Sequence, residues 1–265
     1  MSCGLARQEL YAPRSGPIDI AQWSSTVPPQ AIQVTTSDQI ALNGYFWPGA
    51  PGDKDIFVFF HGRGAHHGVA AKYAQYLRGR GDAVLVASYR GFGGNPGSPD
   101  RAGIERDAAA FIQTAHKLAG EEARVWLLGH SLGAALAIDA AAGRHDIAGV
   151  ITIAAFATLT AAAPWYARPF VPERWNNVEE VKRIHAPLLI LQGDKDRVIP
   201  GDSGARLAAA AQGPVAYVSM KGETHKPPMQ TLGPWLSAAI ATMNKGQAEP
   251  LPELPASWTV VRQTS

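Results

Sequence analysis

The chain has 265 residues, 46% hydrophobic and 17% charged, an ordinary globular mix. At this length roughly three quarters of the unfolded surface can be buried, so no metal or disulfide staple is needed. A formal net charge of +2 without any Lys/Arg block argues against a nucleic-acid partner, and Cys3, the single cysteine, excludes an intrachain disulfide or a Cys-based metal cluster.

The N-terminal stretch "MSCGLARQELYAPRSG" lacks the apolar core of a signal peptide, and no run of about 18 apolar residues follows anywhere. A cytoplasmic location is expected. Cys3 reads as an exposed, disordered terminal cysteine. The alternative is the remnant of a lipid-modified cysteine in a membrane-anchored or exported protein, if the true start lies upstream. Residues 1–30 read as an N-terminal extension, 31–245 as one catalytic domain and 246–265, rich in proline and without helical period, as a surface tail.

Two short strands, 31–36 and 40–47, alternate in polarity and are joined by "SDQ", which predicts an antiparallel hairpin at a sheet edge. Further strands are expected at 55–60, 83–89, 124–129, 149–154, 187–193 and 215–220, almost continuously apolar, as for strands covered on both faces. Helical segments near 68–80, 102–119, 132–143, 202–211 and 229–244 separate them. The alternation predicts an α/β chain with a doubly wound, mostly parallel sheet of about eight strands. Residues 155–185 exceed a minimal crossover and carry "PWYARPFVPERWNN" (164–177). They read either as a crossover packed on the sheet or as a small lid. The aromatics Trp165, Tyr166, Phe170 and Trp175 fit an apolar acyl pocket and core packing equally well.

"LLGHSLGAALA" (127–137) places Ser131 in a G-x-S-x-G pattern between a strand and a helix. A tight turn there strains the serine, exposes its hydroxyl at the carboxyl edge of the sheet, and puts the Leu132 N–H at a helix start, facing developing negative charge. A serine needs a base, and where that turn acts in catalysis the chain order is nucleophile, acid, histidine. Of eight histidines, His225 in "KGETHKPP" alone satisfies that order. In "LQGDKDRVIP" (191–200) the spacing G-x-x-D-x-x-I-P selects Asp196, whose task would be to fix the imidazole tautomer. Asp194 is expected to hydrogen-bond its own turn. The second oxyanion donor is expected in "FFHGRGAHHG" (59–68), with the N–H of Arg63 the best candidate. His61 reads as structural. His66 and His67, adjacent on a loop with no carboxylate cluster, make a weak metal pair, and none is assigned.

On "FFHGRG" (59–64), "SYRGFGGNPGSPD" (88–100), "GHSLGAALA" (129–137), "HAPLLILQGDKDRVIP" (185–200) and "GETH" (222–225), the chain resembles the α/β-hydrolase superfamily. Within it, the small cap-poor serine hydrolases that include depalmitoylases and lysophospholipases are the most similar. The resemblance runs from about Leu10 to Leu236. It implies that Tyr89 and Arg90 belong to a structural loop bracing the active-site edge. Family members typically carry serine where Asn95 stands and asparagine where Arg63 stands, both in loops near the expected pocket. "GFGGNPG" lacks the Lys-Ser/Thr of a phosphate loop. Serine rather than aspartate at the turn argues against epoxide-hydrolase and dehalogenase chemistry.

The expected activity is hydrolysis of a carboxylic ester or thioester through an acyl-enzyme. The partner is a small-molecule or lipid-like acyl ester, and no cofactor is implied. Competing readings are a peptidase or amidase, and a non-catalytic binding protein that kept the fold.

Overall fold

Six apolar runs form the parallel centre of one sheet: β3 (Asp55–Phe60), β4 (Ala83–Val86), β5 (Arg124–His130), β6 (Gly149–Ile153), β7 (Leu188–Gly193) and β8 (Val215–Met220). Every residue of β3, β4, β6 and β7 is buried, because helices cover both faces and leave no solvated side to carry polar residues. β1 (Gln30–Thr35) and β2 (Ala41–Trp47) pair antiparallel, and β2 continues antiparallel onto β4, so the predicted hairpin forms one edge. The computed structural model describes residues 3–14, 27–120, 122–163, 165–245, 250–255 and 257–264. The α/β fold is as expected.

Two differences concern the termini. The sheet has nine strands rather than about eight, because β9 (Trp258–Thr264), inside the expected tail, pairs antiparallel with β8. Of that strand only Trp258 is buried, against Trp235, so it lacks the apolar alternation that marks the others. At the other end, Cys3–Tyr11 forms α1 where a disordered start was expected. Its last residue, Tyr11, is fully buried, and its hydroxyl donates to Glu173, which also pairs with Arg7.

Helices α2 (His67–Ala74), α3 (Arg101–Ala119) and α4 (Leu132–Ala141) follow β3, β4 and β5. Short α5 (Leu159–Ala162) and α6 (Asn177–Glu180) flank the insertion after β6, and α7 (Ser203–Ala210) and α8 (Met229–Met243) complete the layers. Local chemistry sets their limits. Asp100 caps α3 by accepting from the Gly103 N–H at 2.7 Å, and Gly120 ends it at φ +86°.

The strand order is β1-β2-β4-β3-β5-β6-β7-β8-β9. The chain moves from β3 outward to β4, then returns across β3 to β5. The carboxyl ends of β3 and β5 are therefore the topological switch point, where connections leave in opposite directions and open a crevice.

Candidate active site

β5 feeds directly into α4 through Ser131, held at φ +57°, ψ −116°. A non-glycine residue in this region costs about 1–3 kcal/mol and persists only where its surroundings enforce it. Three backbones meet there. A Cβ on Gly129 would lie 2.1 Å from the Gly133 carbonyl oxygen, and one on Gly133 would lie 2.1 Å from that of Phe60. Neither position admits a side chain, so the two glycines of G-x-S-x-G are dictated by strand–helix contact. The Ser131 N–H donates to Ile153 O at 2.9 Å, fixing the turn to the end of β6.

β7 and β8 supply the next two groups. The Asp196 carboxylate is fully buried: Oδ1 accepts from the N–H groups of Val198 (2.8 Å) and Ile199 (3.0 Å). Its Oδ2 accepts from Gln192 at 3.2 Å and from His225 Nδ1 at 2.9 Å. Burial alone would raise this carboxyl, but the hydrogen bonds from His225 and the two amides outweigh it and hold it below its ordinary range. Because the carboxylate only accepts, His225 carries a proton on Nδ1 and donates it there.

The two loops are tied together. Lys195 N–H donates to Glu223 O at 2.9 Å, and a Cβ on Gly193 would lie 2.4 Å from that same oxygen. Asp194 does not cap its own turn as expected; it accepts from Gly222 N–H at 2.6 Å in the histidine loop. That turn is already closed by backbone bonds, which leaves its side chain to reach across.

The loop after β3 lies against the serine turn. A Cβ on Gly62 would sit 3.0 Å from His130 Nδ1 and 3.3 Å from Ser131 Cβ. Among the described residues, neither the Arg63 N–H nor the Leu132 N–H has a hydrogen-bond acceptor. The Arg63 guanidinium reaches back to Glu9 O at 2.6 and 3.1 Å, locking the loop to α1. His61 is buried, donates Nδ1–H to Gly62 O at 3.0 Å, and is pushed down to about 3 by burial. The Tyr89 hydroxyl donates to His61 O at 2.9 Å. Arg90 is paired with Asp107 and Asp38, so this loop braces the site from below. Asn95 joins Tyr89 O to the Asn43 backbone. His66 caps α2 through Gly68 N–H, and His67 packs on Tyr45; both have structural employment.

Ser131, His225 and Arg63 line one cavity of about 390 Å³. Ser131 Oγ makes no hydrogen bond among the described residues. The cavity walls are Val69, Tyr73, Ile153, Val198 and Met229, with Ala12 and Arg14 from the N-terminal segment. No described residue of 155–185 lines it: Trp165, Tyr166 and Phe170 are exposed and Trp175 is buried in the core. The insertion is closed at its neck by a bridge between Thr158 and Asn176, and Ala12 and Arg14, which follow α1, line the cavity.

His130 is a site residue that motif reasoning passed over. Its Nε2 lies 2.8 Å from His225 O, and a carbonyl can only accept, so Nε2 carries the proton. The two rings are 4.8 Å apart, and burial pushes His130 down to about 4, keeping it neutral. Adjacency to Ser131 was the only sequence signal.

A family model described as serine aminopeptidase, S33, matches residues 52–174. Alpha/beta hydrolase domain-containing protein 17B of Xenopus tropicalis is 26% identical over 179 residues, 66% of this chain and 62% of that protein. The uncharacterized protein Rv2307c of Mycobacterium tuberculosis is 33% identical over 233 residues, covering 84% of this chain and 81% of its own length. The chain belongs to the α/β-hydrolase superfamily. This α/β hydrolase is similar in structure to the Pyrococcus furiosus esterase Pf2001, with a TM-score of 0.64 at 18% identity over 89% of this chain and 96% of that one. A Mycobacterium tuberculosis puromycin-hydrolyzing peptidase gives a TM-score of 0.66 at 21% identity, over 88% of this chain and 41% of its own. At such identities the likeness is one of fold.

Proposed function

We propose that this α/β hydrolase cleaves carboxylic esters or thioesters through Ser131, His225 and Asp196. The observation that carries the reading is the 2.9 Å bond from His225 Nδ1 to a fully buried Asp196, with strained Ser131 in the same cavity. Ser131 Oγ attacks the acyl carbonyl while His225 Nε2 takes its proton, an approach that tightens when substrate binds. The carbonyl oxygen becomes an oxyanion and accepts from the N–H groups of Arg63 and Leu132, each worth roughly 2.7–4 kcal/mol in the transition state. His225 Nε2–H then protonates the leaving alcohol or thiol, which departs from the acyl-enzyme. Water attacks in turn, giving its proton to His225, and the carboxylic acid leaves with Ser131 regenerated. Asp196 stays ionised throughout and stabilises the imidazolium.

Ser131→Ala should lower kcat on an activated acyl ester by about 10⁶ and abolish labelling by a fluorophosphonate probe. Wild-type activity surviving in that variant would sink the proposal. Amide cleavage is the second reading, favoured by the description of the matching family model and by the peptidase neighbour. An ester and an amide of one acyl group separate the two: Ser131-dependent turnover of the amide as well as the ester supports the peptidase, and turnover of the ester alone supports the esterase.

A further inference from the structure

The walls of the cavity are apolar, but its mouth is not. Arg14, Arg63 and Lys226 all line it, all are exposed, and among the described residues the lining contains no aspartate or glutamate. The chain as a whole is nearly balanced, with 24 Lys and Arg against 22 Asp and Glu. Asp196 does not offset the imbalance at the opening, since its carboxylate is fully buried behind His225.

The three cations differ in what they are free to do. Arg63 is spent on the Glu9 carbonyl. Among the described residues, the Arg14 and Lys226 side chains form no ion pair and no hydrogen bond. Neither sits on a loose end. Arg14 O accepts from the Gly93 N–H at 2.9 Å, and its Nε lies 3.9 Å from where a Cβ on Gly64 would stand, over the loop that carries the Arg63 N–H. Lys226 follows His225 directly, and the carbonyl between them is held by His130. One cation thus stands on the oxyanion side of Ser131 and the other on the base side.

We infer that the leaving group of the substrate carries an anion, a phosphate or a carboxylate, received by Arg14 and Lys226 while the acyl chain enters the apolar cavity. This rests on the hydrolase reading above and specifies its substrate class. A low-dielectric pocket rimmed by cations of one sign focuses the field at its mouth, so an anionic amphiphile gains in encounter and in binding.

The test uses butyrate esters of four 3-substituted phenols, bearing a carboxylate, a phosphate, a neutral methyl ester or a trimethylammonium group. At about 0.02 M salt, kcat/KM for the two anionic esters should exceed the neutral one by about tenfold, the size that two screened cation–anion contacts supply, with the cationic ester slowest. The preference should shrink toward unity near 0.5 M salt, where the screening length is only a few Å. The double variant Arg14→Glu, Lys226→Glu should reverse the order of anionic and cationic esters. Which anionic ester leads identifies phosphate or carboxylate.

Equal kcat/KM for anionic and neutral esters, or a preference that survives the double variant, overturns the inference and leaves the hydrolase standing. If a fluorophosphonate labels Ser131 but none of the four esters turns over, protection of that labelling by phenyl phosphate and benzoate against benzamide makes the same comparison. Absence of both turnover and labelling defeats the hydrolase reading and the inference with it.

Discussion

His130→Phe tests whether the histidine loop is held by the residue beside the nucleophile. Phenylalanine keeps a ring against His225, 4.8 Å away, but removes the Nε2–H that donates to the His225 carbonyl at 2.8 Å. A carbonyl left unpaired in a part-buried site costs about 1–3 kcal/mol. Either the loop stays and stability falls, or the loop shifts to find water and the imbalance passes to the imidazole. A displacement of about 1 Å at a catalytic group is worth about 10² in rate. The expected result is a kcat on a simple ester reduced about 10- to 100-fold with KM within about twofold, because binding walls are untouched. His130→Gln, whose amide nitrogen can stand near the Nε2 position, should recover part of the loss. Steady-state kinetics beside thermal melts decides the matter. A variant that melts lower yet keeps its kcat would refute a positioning role and leave His130 as packing alone.

Asp196→Asn should cost about 10⁴ in kcat with little loss of fold, since the amide still accepts one bond but cannot hold the His225 tautomer; circular dichroism beside kinetics checks both. Gly133→Ala drives a Cβ to 2.1 Å from Phe60 O and should cost about 3 kcal/mol or more by urea denaturation, or prevent soluble expression. His61, His67 and His130 are pushed by burial to about 3, 4 and 4. The unfolded chain, with histidines near 6.5, binds these protons first, so stability should fall as pH drops from about 6.5 toward 4; a flat melting temperature across that window would contradict it. Asp82 has the opposite sign. Burial first, then Asp53 and Asp55 beside it, raise its carboxyl to about 6, so its contribution is lost as pH rises through about 4 to 6. Asp82→Asn should therefore raise the melting temperature more at about pH 7.5 than at about pH 4.5.

The parallel core was legible because buried strands leave a clear mark: β3 and β7 are buried from end to end, and six of the nine strands were located by such runs, the edge pair β1 and β2 by their alternation. β9 escaped because it is an edge strand whose side chains, Trp258 apart, face solvent. Pairing of Asp196 with His225 was legible from chain order, since the fold fixes which loops share an edge. Asp194 was misread because its partner, the Gly222 N–H, is close only after β7 and β8 pair. The aromatic insertion left pocket wall and core packing open, and the structure supports core packing for Trp175 alone. Trp165, Tyr166 and Phe170 are exposed, and part of the lining comes instead from Ala12 and Arg14, whose segment carries no motif. Docking of α1 depends on Tyr11 and Arg7 meeting Glu173, more than 160 positions away, and no periodicity reports contacts of that span.

The position of the site follows from the sheet rather than from any single motif. Because β3 lies between β4 and β5, the loops leaving β3 and β5 diverge, and their backbones can approach only if neither carries a side chain at the contact. Gly62, Gly129 and Gly133 meet that condition, and the N–H groups of Arg63 and Leu132 are left beside it with no acceptor among the described residues. Both lie beside one strained serine without any rearrangement being required of them. The opposite side is fixed by different means: a buried carboxylate with four donors, an inter-loop bond at Lys195, and His130 bridging the two halves. On the proposed mechanism such preorganisation would stabilise the transition state, because the dipoles are already in place when charge develops. It also explains why His130 belongs in the turn itself. His130 precedes Ser131 in the same closed turn, so its ring can hold the His225 loop in register with the serine.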